Sequence, residues 1–151
     1  MTIGFNNLFG QRDVRETATD NTSNALQYWK AAGIHAIKAP SSGSWTYLVS
    51  SGIFNGRLTS GAANQYAIMP VRLPNGAIAT YCKVHGNGSN SWHFSKVNSG
   101  GGGGTDIATD VMDASEPLVE VIDNTNYSYY VTIELDSGDD LDMVELRYYL
   151  A

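Results

Sequence analysis

A chain of 151 residues is one domain's length, long enough to bury roughly 70% of its unfolded surface in a single core. Nine Lys and Arg against fifteen Asp and Glu leave a formal charge of −6, which gives a phosphate backbone nothing to bind and excludes nucleic acid as an expected partner. Only 16% of the residues are charged while Gly, Ser, Thr and Asn abound, a balance that suits extracellular or virion β-structure better than a helical cytosolic enzyme.

Residues 1 to 22 scatter Ile3, Phe5, Leu8 and Phe9 among polar residues without a period. They predict an extended N-terminal arm, held by the domain's own surface or by a neighbouring subunit. No basic stretch precedes a long apolar run and no small-residue cleavage site follows, so no export signal is expected. No apolar run approaches the ~20 residues of a membrane span either. Asn21 to Asn24 offer N-caps for a short helix, ALQYWKAA, which Gly33 would end in a left-handed conformation. Trp29 would then pack against the main domain; the alternative is an exposed Trp29 that binds sugar. This divides the chain into an arm with one short helix, 1–33, and a β-domain, 34–151.

From Ile34 short β-like runs alternate with turn residues: IHAIK, WTYLVS and IFNGRL, with Asn55-Gly56 as a hairpin candidate. YAIMPVRLPNGAIATYCKVH, 66 to 85, reads as two strands joined through Leu-Pro-Asn-Gly, with Pro70 confining the first to an edge, a bulge or a non-donating position. Alternation in the second places Ile78, Thr80, Cys82 and Val84 on one face and Tyr81, Lys83 and His85 on the other. SWHFSKV sets Trp92 and Phe94 on one face, the expected centre of the core. The glycine run at 100 to 104 reads as a loop, since a phosphate cradle would need Lys-Ser or Lys-Thr and a helix after it. The clearest alternation is NYSYYVTIEL, with Tyr127, Tyr129, Val131, Ile133 and Leu135 inward. The closing strand sets Val144, Leu146, Tyr148 and Leu150 against Met143, Glu145, Arg147 and Tyr149.

No chemistry-bearing set emerges from these positions. Cys82 and His85 fall on opposite faces, and His35 and His93 are remote, so four zinc ligands do not assemble and a buried free thiol is expected. Asp136, Asp139, Asp140 and Asp142 lack the spacing of an EF-hand loop and read as solvated turn acids, the alternative being a calcium site in or between subunits; Asp106, Asp110 and Asp113 face the same comparison. There is no Gly-x-Ser-x-Gly, and Glu134 and Glu145 read as outward neighbours on adjacent strands. The chain is expected to be no enzyme and to need no metal or cofactor. Outward Tyr81, Tyr130, Met143 and Tyr149, with Phe5, Leu8 and Phe9 of the arm, are the interface candidates, because large side chains facing away from a core mark a subunit contact or a ligand platform.

The segments around Pro70, Leu73, Pro74, Gly76 and Ala77, then Ile122, Asp123, Asn124, Tyr127, Tyr129 and Tyr130, then Val144, Leu146 and Tyr148, resemble a recurrent jelly-roll-like β-sandwich pattern of phage and bacterial surface proteins. The resemblance implies an all-β, antiparallel jelly-roll-like β-sandwich. It further implies a structural virion protein: a capsid decoration or cement protein of a bacteriophage, on the particle surface, trimeric, partnered by the major capsid protein or other virion subunits. The competing expectation is a receptor- or carbohydrate-binding domain of a tail fibre or surface protein, using exposed aromatics and the loops GNGSN and SGGGGG.

Overall fold

The computed structural model describes residues 25–38, 45–50 and 53–150. Phe5, Leu8 and Phe9 therefore lie outside the described residues. The fold is an all-β antiparallel sandwich. One sheet, sheet A, runs β3 (Trp45–Ser50), β4 (Ile53–Ser60), β11 (Asp140–Tyr149), β6 (Ile78–Gly86) and β9 (Ser115–Val121). A further strand, β1 (Leu26–Ala32), also pairs with β11. Sheet B runs β2 (Ile37–Lys38), β5 (Gln65–Val71), β10 (Tyr127–Leu135), β7 (Ser91–Asn98) and β8 (Gly104–Val111).

The core forms where the inward faces meet. Trp92, Phe94, Val131, Ile133, Leu135, Val84, Val144 and Leu146 are fully buried, as the alternation in their strands requires. Trp92 donates its buried indole N–H to the Val111 carbonyl at 2.9 Å, which removes the penalty of an unpaired donor. Cys82 is a buried free thiol, and burial pushes its pKa up, away from the reactive thiolate. The glycine run makes the β7–β8 hairpin loop and, with Gly104, the first residue of β8. Tyr130 on the outer face of sheet B lies against Gly104, where an added Cβ would sit 2.5 Å from its hydroxyl.

Four expectations are corrected. ALQYWKAA is β1 and not a helix: all seven residues of Leu26–Ala32 pair with β11, and a partner strand outweighs the helix propensity of a two-turn segment. The sandwich thus includes Leu26–Ala32, Trp29 packs against the core from a strand, and the only helical piece among the described residues is the 3-10 turn Gly33–His35. Gly33 is required there by close approach, since a Cβ would run into the Leu141 carbonyl. Asn55-Gly56 lies inside β4, where Gly56 at φ +64 absorbs a register shift against β3. A β-bulge at Thr80 breaks the expected parity at the start of β6, where Ala79 is buried and Ile78 faces outward, while beyond it Cys82 and Val84 inward and Tyr81 outward fall as expected. Finally, Glu134 and Glu145 belong to different sheets and are not neighbours.

The start of β11 holds the elements together. Asp140, 8% exposed, accepts hydrogen bonds from Arg57 (3.0 Å), Thr59 and Asn87 Nδ2 (3.2 Å), and its backbone N–H donates to Asn87 Oδ1 at 2.6 Å. Asp142 takes the other side of the Arg57 guanidinium. Asp140 and Asp142 thus serve as structural acceptors and not as freely solvated turn residues, while Asp136 is exposed at the turn as expected.

Asp140→Ala, which leaves these donors without their acceptor, is expected to cost about 3 kcal/mol in urea unfolding. In the same experiment Cys82 should react with a thiol reagent only as the protein unfolds.

Candidate functional site

Two surfaces collect groups that could act on something outside the chain. The first is the outer face of sheet A, which the pairing registers divide into rows across β1, β11, β6 and β9. One row is apolar throughout, Leu26, Tyr149, Ile78 and Val121. Val119 at 81% exposure and Val121 at 58% extend it along β9, an edge strand whose Pro117 suits an edge. The next row is Tyr28, Arg147, Tyr81 and Pro117. There the Arg147 guanidinium lies 4.0 Å from the Tyr81 ring centroid and 5.5 Å from that of Tyr28, so it covers faces a planar ligand would need.

The third row is charged: Lys30, Glu145 and Lys83. Glu145 faces outward yet is buried, because Arg147 (2.9 Å) and Lys30 (3.2 Å) close over it and His85 Nε2 stands 3.6 Å away. Burial alone would raise its carboxyl; the hydrogen bonds and charges of Arg147 and Lys30 outweigh that and hold it below the usual carboxylate range.

The interface candidates thus separate. Tyr81, Met143 and Tyr149 lie on the outer face of sheet A, Tyr81 under Arg147 and Met143 half-buried, while Tyr130 lies on sheet B. They do not form one patch.

Sheet B brings Ser95, His93 and Asp106 together on its outer face. Ser95 Oγ donates to Asp106 at 2.6 Å and His93 Nδ1 sits 2.9 Å from the other carboxylate oxygen. The serine is bound to the acid and not to the imidazole, so no base faces a nucleophile. The Ser95 hydrogen bond is the main reason the Asp106 carboxyl stays below its ordinary range.

The second surface is a cleft of about 450 Å³ where β5 and β10 meet the crossovers between the sheets, lined by residues of 70–73 and 124–129. Val71, Leu73 and Tyr129 are its buried members; Pro70, Arg72, Asn124 and Ser128 are exposed around them, with the Tyr127 ring half-buried. The crossovers are laced together. Gly76 N–H donates to the Ile122 carbonyl (2.7 Å) and Ile122 N–H to that of Ala77 (2.8 Å). Asn124 donates through its N–H to Asn75 Oδ1 (2.8 Å) and through Nδ2 to the Leu73 carbonyl (2.9 Å). Gly76 at φ +80 supplies the turn.

Beneath the cleft an ion pair joins the sheets. Lys96 of β7 reaches Glu120 of β9 at 2.8 Å and lies 4.8 Å from the Tyr127 ring centroid. Tyr129 donates to the same carboxylate at 3.3 Å and accepts from the Asp123 N–H at 2.9 Å. The Glu120 hydrogen bond pushes the Lys96 ammonium up, and burial pushes the Tyr129 phenol up, which keeps it a neutral donor.

Arg72, Asn124 and Ser128 are absent from the sequence-derived candidates. The signal available was that LPNGA and VIDNTNY are both turn-rich stretches; that they face each other is set by pairing across about 50 residues.

No family model matches the chain, and no curated protein matches it in sequence. Solved structures with a similar fold include the C-terminal CBM6 of LamC, a marine laminarinase from Zobellia galactanivorans (10% identity, 80% of this chain and 98% of that one, TM-score 0.41). A family 29 carbohydrate-binding module gives 11% identity over 83% of this chain and 89% of that one, TM-score 0.43. The CBM22-1–GH10 modules of xylanase 10B from Clostridium thermocellum, in complex with xylohexaose, give 14% identity, TM-score 0.45; there the match spans 83% of this chain but 28% of that one.

Because the Glu145 carboxyl is held below its ordinary value of 4.5, the stability it contributes is present above that pH and is lost as pH falls through its folded value. Glu145→Gln is expected to cost about 1–2 kcal/mol at pH 7, reduced by the exposure of Lys30 and Arg147. It should also flatten the acid limb below about pH 4.5, read as unfolding midpoint against pH.

Proposed function

We propose that the protein is a non-catalytic binding module that takes a saccharide into the cleft at the two crossovers. The observation that carries this reading is the lining. The Tyr127 ring and the Pro70, Val71 and Leu73 side chains supply apolar surface. Beside them Arg72 and Ser128 have no side-chain partner among the described residues. A sugar presents apolar C–H faces and hydroxyl edges, so it needs a flat surface flanked by a few fixed donors and acceptors. The volume lies within the range of small-molecule sites, and the hydrogen bonds across the crossovers pre-form the walls, which lowers the ordering cost of binding.

A separate observation favours a second reading, in which the outer face of sheet A docks on another subunit. The apolar row Leu26, Tyr149, Ile78 and Val121, with Val119, is the kind of contiguous patch that marks a protein interface. In that reading the protein is a trimeric decoration or fibre component on a virion surface, bound to capsid or other virion subunits. The aromatic row is the less suitable ligand platform of the two surfaces, since Arg147 lies on two of its rings and is itself paired with Glu145, whereas the cleft offers Arg72 and Ser128 without a side-chain partner among the described residues.

A glycan array followed by calorimetry separates the two. The isolated protein should bind saccharide, Tyr127→Ala should weaken binding roughly tenfold, and Val119→Asp should leave it unchanged. Absence of binding, together with a light-scattering mass above the monomer that Val119→Asp abolishes, would replace the saccharide reading with the docking one.

A further inference from the structure

We infer that the saccharide taken by this cleft is an acidic one, a uronate whose carboxylate seats on Arg72; the inference rests on the cleft being a saccharide site. The cleft's local charge carries the argument. Lys30 and Arg147 are paired with Glu145, Arg57 with Asp140 and Asp142, Lys83 with Asp113 and Lys96 with Glu120. Arg72 is paired with no carboxylate among the described residues, and it lines the cleft.

The acids that could neutralise it from the neighbouring elements are engaged elsewhere. Glu120 is held by Lys96 and the Tyr129 hydroxyl. Asp123 is turned into its own loop, accepting from the N–H groups of Thr125 (3.1 Å) and Asn126 (3.2 Å) and from Asn126 Nδ2 (2.7 Å). Among the described residues the guanidinium is therefore the uncompensated charge of the cleft, beside an aromatic ring and a hydroxyl without a side-chain partner.

A guanidinium presents its donors as a planar fork that matches the two oxygens of a carboxylate, and the pair is stronger than a neutral hydrogen bond. A neutral sugar would satisfy the apolar wall and Ser128 but leave the fork to water. The chain's charge of −6 opposes the approach of an anion at long range. At physiological ionic strength that field is screened beyond about 8 Å, so the contact at Arg72 decides.

The test is titration calorimetry of the full chain at 0.15 M salt with oligogalacturonate and alginate oligomers, against the same oligomers after reduction of their carboxyl groups. The acid form should bind at least tenfold tighter than its reduced counterpart, Arg72→Gln should erase the difference, and Arg72→Lys should keep part of it. An unchanged thermal midpoint in R72Q would show that the exposed side chain has been removed without harm to the fold. Equal binding of acid and reduced forms, or an acid preference that survives in R72Q, overturns the acidic specificity and leaves the saccharide reading standing. Binding of neither set overturns both.

Discussion

The sandwich depends on Asp140, a nearly buried carboxylate that gathers a guanidinium and a hydroxyl from β4 and an amide from the β6–β7 loop onto the first residue of β11. An acid so placed has to be surrounded by donors, and here the donors come from two separate stretches of chain, β4 and the β6–β7 loop, so satisfying it brings both onto β11. The backbone crowds at the same point. Both Gly33 and Gly86 approach carbonyls of Asp140 and Leu141 so closely that neither has room for a side chain. Once β11 is fixed there, its pairing with β1 follows residue by residue and its pairing with β6 follows with two register shifts, and with them the rows on the outer face of sheet A.

The opposite end of the molecule is held differently. There the crossovers 72–77 and 122–126 exchange backbone and asparagine hydrogen bonds, and the Lys96–Glu120 pair joins the sheets beneath them. Polar groups held in fixed positions around an apolar floor are what the proposed saccharide site rests on, whereas the outer face of sheet A has largely satisfied its own polar groups through Glu145 and Arg147. The two surfaces therefore suit different partners: the cleft a small polar molecule, the apolar row another protein.

Much of this was legible in the sequence. Strict alternation marked β10 correctly, and Trp92 and Phe94 do form the core, because a half-buried strand leaves a period of two that little else produces. β1 was misread because ALQYWKAA also fits two turns of helix, and only the partner strand decides between the two. The bulge at Thr80 was invisible because a single extra residue shifts parity without any marker in composition. The site was the least legible part. Its glycine, prolines and asparagines read as turn chemistry, and nothing local to either stretch tells that Asn124 will reach the Leu73 carbonyl.

The central claim is that ligand enters at the crossovers and not on the face of sheet A. Amide chemical shifts of the labelled protein, followed during titration with an oligosaccharide, test it most directly. The account predicts saturable changes confined to residues 71–73 and 124–129 and the neighbouring Lys96. Changes centred on Tyr28, Tyr81 and Tyr149, or none at millimolar ligand, would contradict it.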